Sequence, residues 1–313
     1  MTAPSLEQLI SRQISADSPE AVEQLGVVLR QRYGDAVDAI LYYGSCLRQG
    51  DALEGVVDLY VVVSSYPAAL SSAWRSLIYF ILPPTVKYME VEIDGAVART
   101  KYALISRRDF RRGTSQRWFH SYLWGRFSQP CQLVFAANES TREFIVGCLA
   151  SAVCTLLSRT ASVMPAQFDA LQLWREGLSL SYRSELRPES GTRGIELADS
   201  SAQYYSEITV SAAGATGIRV SPGDRFPLSY DAPAWARRWS KICWRLRGLQ
   251  GKFLSIARWL KALATFDGGL DYAVWKLERH TGVRVTLSER ARRYPLIFLW
   301  GELWRLYRQG AFR

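Results

Sequence analysis

The chain has 313 residues, 48% of them hydrophobic, and it carries 39 Lys or Arg against 29 Asp or Glu, a net charge of +10. This length is too great for one ordinary core and predicts two, and the apolar fraction is sufficient to pack them. The five cysteines lack Cys-x-x-Cys spacing, and the two histidines are far apart in sequence. These features argue against a disulfide framework and against a thiolate or histidine metal site, and they favour a reducing compartment.

The basic charge balance predicts an anionic partner, which is nucleic acid, a phosphate-rich substrate or an anionic membrane. The N-terminus has no basic head followed by an apolar run, so we expect no secretory signal. The longest uncharged apolar run in the middle of the chain covers residues 144–158. This run is short for a membrane-spanning helix and predicts a buried one.

Hydrophobic periodicity and turn signals predict alternating helices and strands along the first two thirds of the chain. The predicted elements are two amphipathic helices in 5–32, strands at 38–43 and 56–63, a helix at 68–80, a hairpin of strands 86–93 and 96–106, an aromatic helix at 116–127, a strand at 131–136, and helices at 144–159 and 167–180. The small, polar stretch 200–217 and the Pro-containing loops after it predict a domain boundary near residue 230.

The most informative stretch is a strand that runs into Gly44-Ser45, followed by a valine-rich strand that carries Asp58. Glycine lets the backbone approach a triphosphate closely, and Ser45 offers a hydroxyl and an N–H at a helix start, where phosphate is favoured. Asp58 offers oxygen to Mg²⁺, a hard cation that bridges phosphates. This pattern is typical of the front of a nucleotidyltransferase of the DNA polymerase beta type. The alternative is a Gly-Ser turn with no ligand, and Tyr60 stands where a second acid is usual.

The predicted hairpin supplies further candidates for a phosphate site. Tyr88, Glu90 and Glu92 share one face of the outgoing strand, because side chains alternate with a period of two. Either acid could provide the second metal ligand, although a solvated polar face explains them as well. Lys101 lies on the return strand, where it could reach a phosphate.

The last eighty residues change in character. Tryptophans interleave with Lys and Arg over residues 235–261, and an aromatic segment at 295–307 follows a cluster of arginines. The second segment is too short to span a membrane, but its aromatic and basic side chains suit a membrane interface. The residues expected to bind that surface are Arg292, Arg293, Trp300 and Trp304. The alternative is a helix that packs on the core with amphipathic side chains as cover.

Five groups of short motifs, in the same order, resemble those of one family. They are Tyr43-Gly44-Ser45 with Val57-Asp58-Leu59; residues 101–106; Tyr122 with Gly125-Arg126 and Pro130; Gly177-Leu178-Ser179 with residues 181–187; and, loosely, Lys261 with Thr265. On these motifs, residues 40–268 resemble the mitochondrial-type CDP-diacylglycerol synthases, which are peripherally bound phosphatidate cytidylyltransferases. That family also lacks the second acid. Ser184, Glu185 and Ala262 depart from its pattern on the lipid-acceptor side.

The resemblance implies an α+β fold: a nucleotidyltransferase domain with a mixed sheet (1–139), a mostly helical, winged-helix-like domain (140–230) and a C-terminal helical membrane-surface region (231–313). It implies transfer from CTP to phosphatidate with Mg²⁺, at the inner, cytoplasmic face of an anionic membrane. The implied site residues are Asp58 and Lys101 for catalysis; Gly44, Ser45, Arg126 and Arg187 for the nucleotide; Asp58, Glu90 and Glu92 for the metal; and Tyr182, Glu185 and Lys261 for the acceptor.

Two other functions fit the same residues. The first is a nucleotidyltransferase with a different base or phosphate acceptor. The second is a non-catalytic module that keeps the fold and binds a membrane or nucleic acid, since aromatic and basic interleaving at 235–261 suits both. We find no recognised nucleic-acid motif in the sequence, so a nucleic-acid partner is not expected.

Overall fold

The computed structural model describes residues 4–50, 55–93, 95–185, 191–221 and 227–265. Helices and strands alternate in the first half, and helices dominate the second. The helices are α1 (Leu6–Ile14), α2 (Glu20–Tyr33), α3 (Ser45–Gln49), α4 (Tyr66–Ala69), α5 (Ala73–Ile81), α6 (Arg107–Gly113), α7 (Trp124–Phe127), α8 (Glu139–Ala161), α9 (Ala170–Arg183), α10 (Arg193–Asp199), α11 (Ala202–Thr216) and α12 (Ala234–Thr265). The strands are β1 (Val37–Tyr43), β2 (Val56–Val63), β3 (Thr85–Ile93), β4 (Ala96–Ser106), β5 (Gln132–Ala136), β6 (Gln167–Phe168), β7 (Arg219–Val220) and β8 (Leu228–Ser229).

A five-stranded sheet with the order β3-β4-β2-β1-β5 organises the first half. The β2–β4 pair is parallel, and the other three pairs are antiparallel. The sheet is therefore mixed, and with the surrounding helices it confirms the predicted α+β class. Gly95, in the turn between β3 and β4, has φ +78°, a conformation that glycine adopts without strain.

Both faces of the sheet are buried. One face carries Val57, Leu59 and Val61 and packs against side chains from α2 and α5, including Leu25 and Tyr79. The opposite face carries Leu41, Tyr60 and Val62 and belongs to a larger core that includes α1, α8, α9 and α11. Burial on both faces explains why β2 is almost continuously apolar, and it makes the single carboxylate of Asp58 stand out in that strand.

Helix α8 is the centre of the larger core. By length and composition it could cross a membrane, with a mean hydropathy of 1.6, but 67% of its apolar window is buried inside the protein. The Asn138 side chain caps its N-terminus by accepting from the Thr141 N–H. The buried helix predicted from residues 144–158 is therefore confirmed. Its core also takes in the small sheet β6-β8-β7, so the helical part and the main sheet share one packed interior.

One sequence prediction about local structure is wrong. Residues 116–127 do not form one helix, because only α7 at their end is helical. Contacts between side chain and backbone hold the rest as turns: Trp124 Nε1 donates to the Trp118 carbonyl at 3.1 Å, and His120 Nδ1 accepts from the Tyr122 N–H at 3.2 Å. Helix α11 forms most of the small, polar stretch 200–217, since Ile208 and Ala212 bury one of its faces.

Helix α10 packs closely on α9, and a substitution at their contact tests this packing. A Cβ atom on Gly194 would lie 2.4 Å from the Ser179 backbone N. We expect Gly194→Ala to lower the free energy of unfolding by about 1–3 kcal/mol, because rigid backbone must shift. The matched control is Gly147→Ala in α8, where a Cβ atom meets nothing within 4 Å. There the higher helix propensity of alanine should raise stability by about 0.5–1 kcal/mol. Chemical denaturation measures both, and equal effects would contradict the packing.

Candidate functional site

The Gly44-Ser45 turn lies directly against the carboxylate of Asp58. Gly44 has φ +97°, and a Cβ atom built on it would be 2.6 Å from Asp58 Oδ2. Glycine is therefore required at this position for two reasons: the positive φ and the close approach of the backbone to the Asp58 carboxylate. Helix α3 begins at Ser45 immediately after the turn. The predicted neighbourhood of turn and carboxylate is present in the structure.

The strand register places three polar side chains next to Asp58 in one row across the sheet. Asp58 lies opposite Tyr43 on β1 and opposite Lys101 on β4, and Lys101 lies opposite Tyr88 on β3. Residues paired in register point to the same face of a sheet. This face is the one that packs on α8 further along, so the row marks where the larger core ends and a polar surface begins.

Arg126 reaches this row from a separate part of the chain. Its Nη1 donates to the Tyr43 hydroxyl at 3.0 Å, and its Nη2 lies 3.8 Å from the Glu185 carboxylate. Its guanidinium carbon also lies 4.7 Å from the ring centroid of Tyr122. Arg126 thus links Glu185 to Tyr43, the residue that precedes Gly44.

Close packing of α7 on the end of α9 explains why Arg126 and Glu185 meet. A Cβ atom on Gly125 would lie only 2.0 Å from Ser181 Oγ, so the two backbones can approach each other only with glycine here. The hydroxyls of Ser121 and Ser184 are hydrogen-bonded at 2.6 Å in the same interface. The segment before Arg126 and the end of α9 are therefore fixed to one another, and the motifs that they carry face one space. Tyr182 lies on the last turn of α9, half-buried.

Arg258 of α12 adds a second cation that the sequence analysis did not assign to the site. Its guanidinium carbon lies 4.1 Å from the Tyr122 ring centroid. Burial alone raises the pKa of Tyr122, but the guanidinium groups of Arg126 and Arg258 outweigh that effect and lower its pKa. The only sequence signal for Arg258 was its position in the basic, Trp-rich stretch, where many arginines look alike. The site therefore carries two arginines around one phenol, an arrangement suited to an anionic ligand.

The expected second acid of the motif is replaced by an aromatic core residue. Tyr60 is fully buried, and its ring lies 5.2 Å from that of Tyr43 and 4.8 Å from that of Phe127. The carboxylate of Glu90 accepts from the Tyr88 hydroxyl at 2.5 Å and from Arg99 Nε at 3.3 Å, two strands away from Asp58. Glu92 lies further along the same strand and is exposed.

Among the residues that the structure describes, no group of three or more His, Cys, Asp or Glu side chains could hold a metal ion. A site made of protein ligands alone is therefore not formed there. Mg²⁺ commonly takes one or two carboxylates together with substrate phosphates, and Asp58 beside the Gly44 turn suits that arrangement. Glu90 and Glu92 as further metal ligands stay a prediction.

Lys261 lies away from the other candidates. Its Nζ donates to the Leu82 carbonyl at 2.8 Å and to Thr85 Oγ1 at 2.5 Å, at the start of β3. Burial, together with the positive charge of Arg258, lowers its pKa to about 7. Its contacts tie α12 to the edge of the sheet. Five other predicted site residues lie outside the described residues, namely Arg187, Arg292, Arg293, Trp300 and Trp304.

The cavities do not by themselves mark this site. One cavity of about 350 Å³ lies between α1 and the start of α8, lined by Glu7, Glu139 and Arg142, far along the chain from the carboxylate of Asp58. Another, of about 290 Å³, lies beside α3 and includes Arg48 and Gln129. Neither cavity is lined by Asp58, Lys101 or Arg126, which the strand register and the bond to Tyr43 bring together instead.

Comparisons with known proteins were made for the whole chain. No protein-family model matches it, and no curated protein matches it. The fold is similar to the crystal structure of a nucleotidyltransferase-like protein from Exiguobacterium sibiricum 255-15, with 11% sequence identity, a TM-score of 0.28 and 92% of each chain covered. A similarity at this TM-score does not define a function, so the geometry of the site must carry the proposal.

His120 gives this site a pH dependence of stability. Burial, reinforced by the charge of Arg258, lowers the pKa of His120 to about 4, from an ordinary value of 6.5. Between these values the unfolded chain binds a proton that the folded chain does not, so the free energy of unfolding falls as pH falls from about 6.5 to 4. The loss is on the order of 3 kcal/mol.

We expect His120→Asn, whose side-chain oxygen can still accept from the Tyr122 N–H, to remove this part of the pH dependence. Denaturant unfolding of both proteins at intervals from neutral pH to pH 4 measures it. If the free energy of unfolding of the two proteins changes with pH in parallel, His120 is not buried in its neutral form.

Proposed function

We propose that the chain is a nucleotidyltransferase whose reaction centre is the surface formed by Gly44, Ser45, Asp58 and Lys101. The observation that carries this proposal is the direct packing of the Gly44 backbone on the Asp58 carboxylate, with Lys101 next to it in the sheet. A turn that admits a phosphate and a carboxylate that binds a hard cation are then neighbours. Arg126 and Arg258 add positive charge on the adjoining side.

Each residue has a role that its position allows. The Gly44-Ser45 backbone and the Ser45 hydroxyl would hold the triphosphate, and Lys101 and Arg126 would neutralise its oxygens. Asp58 would hold Mg²⁺, which when bound neutralises phosphate charge. An oxygen of the acceptor forms a bond to the α-phosphorus, the bond from that phosphorus to the bridging oxygen breaks, and pyrophosphate leaves with the electron pair. The protein contributes orientation and charge to this exchange.

The finer form of the proposal is a CTP:phosphatidate cytidylyltransferase that acts at the surface of an anionic membrane. It is supported by the motif resemblance, and by the contact of Arg126 with Tyr43 and Glu185, which joins the motif of the nucleotide side to that of the acceptor side. The test is pyrophosphate release from CTP with and without phosphatidate, run beside the other nucleotides and other phosphomonoesters. Pyrophosphate release with a different nucleotide and acceptor would support a nucleotidyltransferase but exclude CTP and phosphatidate as its substrates.

Asp58 is the first residue to test. Asp58→Asn should abolish pyrophosphate release, because a neutral amide is a poor ligand for a hard cation, and the fold should survive since the shape is kept. The control is Asp38→Asn on β1, whose carboxylate pairs with Arg107 at 3.4 Å instead. The control should keep its activity. Near-normal activity in Asp58→Asn, with intact thermal unfolding, would exclude Asp58 as the metal ligand.

The turn is the second target. Ser45→Ala should weaken nucleotide binding by about 1.5–3 kcal/mol if its hydroxyl donates to a charged phosphate. Gly44→Val should be more severe, because the added atoms collide with Asp58 and the backbone conformation is strained for any L side chain. Isothermal titration with CTP measures both. Wild-type affinity in both variants would make the turn purely structural.

The membrane part of the proposal includes the aromatic segment near the C-terminus. Deleting residues 289–313 should lower activity on membrane-embedded phosphatidate and leave activity on a short-chain, water-soluble phosphatidate unchanged, because the deletion removes none of the residues proposed for the reaction centre. Vesicle sedimentation measures the accompanying loss of binding. Full sedimentation of the truncated protein would place the anchor elsewhere in the chain.

A further inference from the structure

Helix α12 has two faces of opposite character. The inward face is fixed to the core: Trp244 Nε1 donates to the Arg159 carbonyl at 3.1 Å, and Arg247 Nε donates to the Phe119 carbonyl at 2.9 Å. A Cβ atom on Gly251 would lie 1.9 Å from the Ser184 carbonyl oxygen, and Arg258 contacts Tyr122. These four residues recur at spacings of three, four and seven, so one side of the helix is held along its length.

The outward face carries a continuous row of large apolar side chains, which we call the α12 stripe. Its residues alternate in steps of four and three, and each is between 42% and 71% exposed. They are Trp235, Trp239, Ile242, Leu246, Leu249, Phe253 and Ile256. At 1.5 Å per residue the stripe is about 32 Å long. An exposed apolar row of this length marks a surface that another body covers.

Helix α5 adds a second exposed apolar face next to the end of α12. Trp74 is 68% and Ile81 is 70% exposed, and Leu77 and Phe80 accompany them. Lys261 joins the two helices by its bond to the carbonyl of Leu82, the residue that follows α5. Exposed apolar side chains therefore occur on both of the helices that Lys261 ties together.

The positive charge of α12 favours an anionic partner over a second copy of the helix. The helix carries eight Lys or Arg and no Asp or Glu. Arg238, Arg245 and Lys252 each stand one residue before a stripe residue, so basic side chains run along one margin of the row. A second copy of this helix packed antiparallel would bring those margins together as like charges, which is unfavourable. Tryptophan at the start of the row is also typical of a membrane interface.

We propose that the α12 stripe, with the exposed face of α5, is a docking surface for a bilayer that contains anionic lipids. The apolar side chains would enter the boundary between headgroups and acyl chains, and the basic margin would lie at the level of the phosphates. This inference concerns residues 73–81 and 235–256 and depends on neither the catalytic proposal nor the segment at 290–308.

Full-length protein is tested by sedimentation with vesicles of phosphatidylcholine alone and of phosphatidylcholine mixed with phosphatidylglycerol. Leu249→Glu combined with Phe253→Glu should lower binding to the mixed vesicles by at least about tenfold. Arg238→Gln, Arg245→Gln and Lys252→Gln together should lower it by about tenfold to a hundredfold at low salt and reduce its salt dependence. The matched control adds two glutamates on other exposed apolar positions, Ile195→Glu with Val210→Glu, and should bind as wild type.

Three outcomes would overturn the proposal. Equal vesicle binding by the stripe variant and the control would place the contact elsewhere. A wild-type dimer that the stripe variant converts to a monomer in analytical ultracentrifugation, without vesicle binding by wild type, would make the stripe an interface between copies. A large fall in melting temperature in the stripe variant alone would show that the same chain covers the stripe. None of these results bears on pyrophosphate release, so the catalytic proposal is judged separately.

Discussion

The contact between Gly125 and Ser181 is the constraint on which the site depends. It leaves no room for a Cβ atom on Gly125, so the turn before Arg126 and the end of α9 are locked together. Arg126 can then reach both Tyr43, at the end of β1, and Glu185, just after α9. Without this contact the sheet would still present Asp58 and Lys101, but α7 would not be fixed against α9 and would not hold Arg126 in one position. A positive charge must be held in place to stabilise a developing negative charge.

A second constraint is that one face of the sheet serves as both core and site. Leu41, Tyr60 and Val62 bury that face under α8, and Asp58 and Lys101 follow on the same face where the helices end. Because side chains alternate along a strand, Asp58, Tyr60 and Val62 share this face, and the face changes from core to site between Tyr60 and Asp58. It also accounts for Tyr60: a carboxylate there would be buried among Tyr43 and Phe127, at a high desolvation cost.

The sequence was most informative where the periodicity is local. The strands β1 to β5 and the long helix α8 follow from alternation, β-branched residues and length, and the Gly44–Asp58 neighbourhood follows from a turn between adjacent strands. The turns at 116–123 were not predicted, because local hydrogen bonds from Trp124 to the Trp118 carbonyl and from the Tyr122 N–H to His120 override an aromatic, helix-like pattern. Arg258 was not predicted because α12 carries many arginines. It differs from the others only in lying on the face of the helix that contacts Tyr122.

Helix α12 joins the two proposals physically. Arg258 faces Tyr122 and, through it, Arg126, whereas Ile256, two residues earlier, belongs to the exposed stripe. The two sides of an α-helix with its side chains are separated by only about 10–12 Å. Under the two proposals, the basic margin that meets the headgroups and the Arg258 side chain that meets Tyr122 lie on different sides of one helix. An enzyme with a lipid acceptor needs this geometry, since the phosphate must reach the nucleotide while its acyl chains stay in the bilayer. If both proposals hold, an exposed apolar row beside the site favours a lipid acceptor over a soluble one.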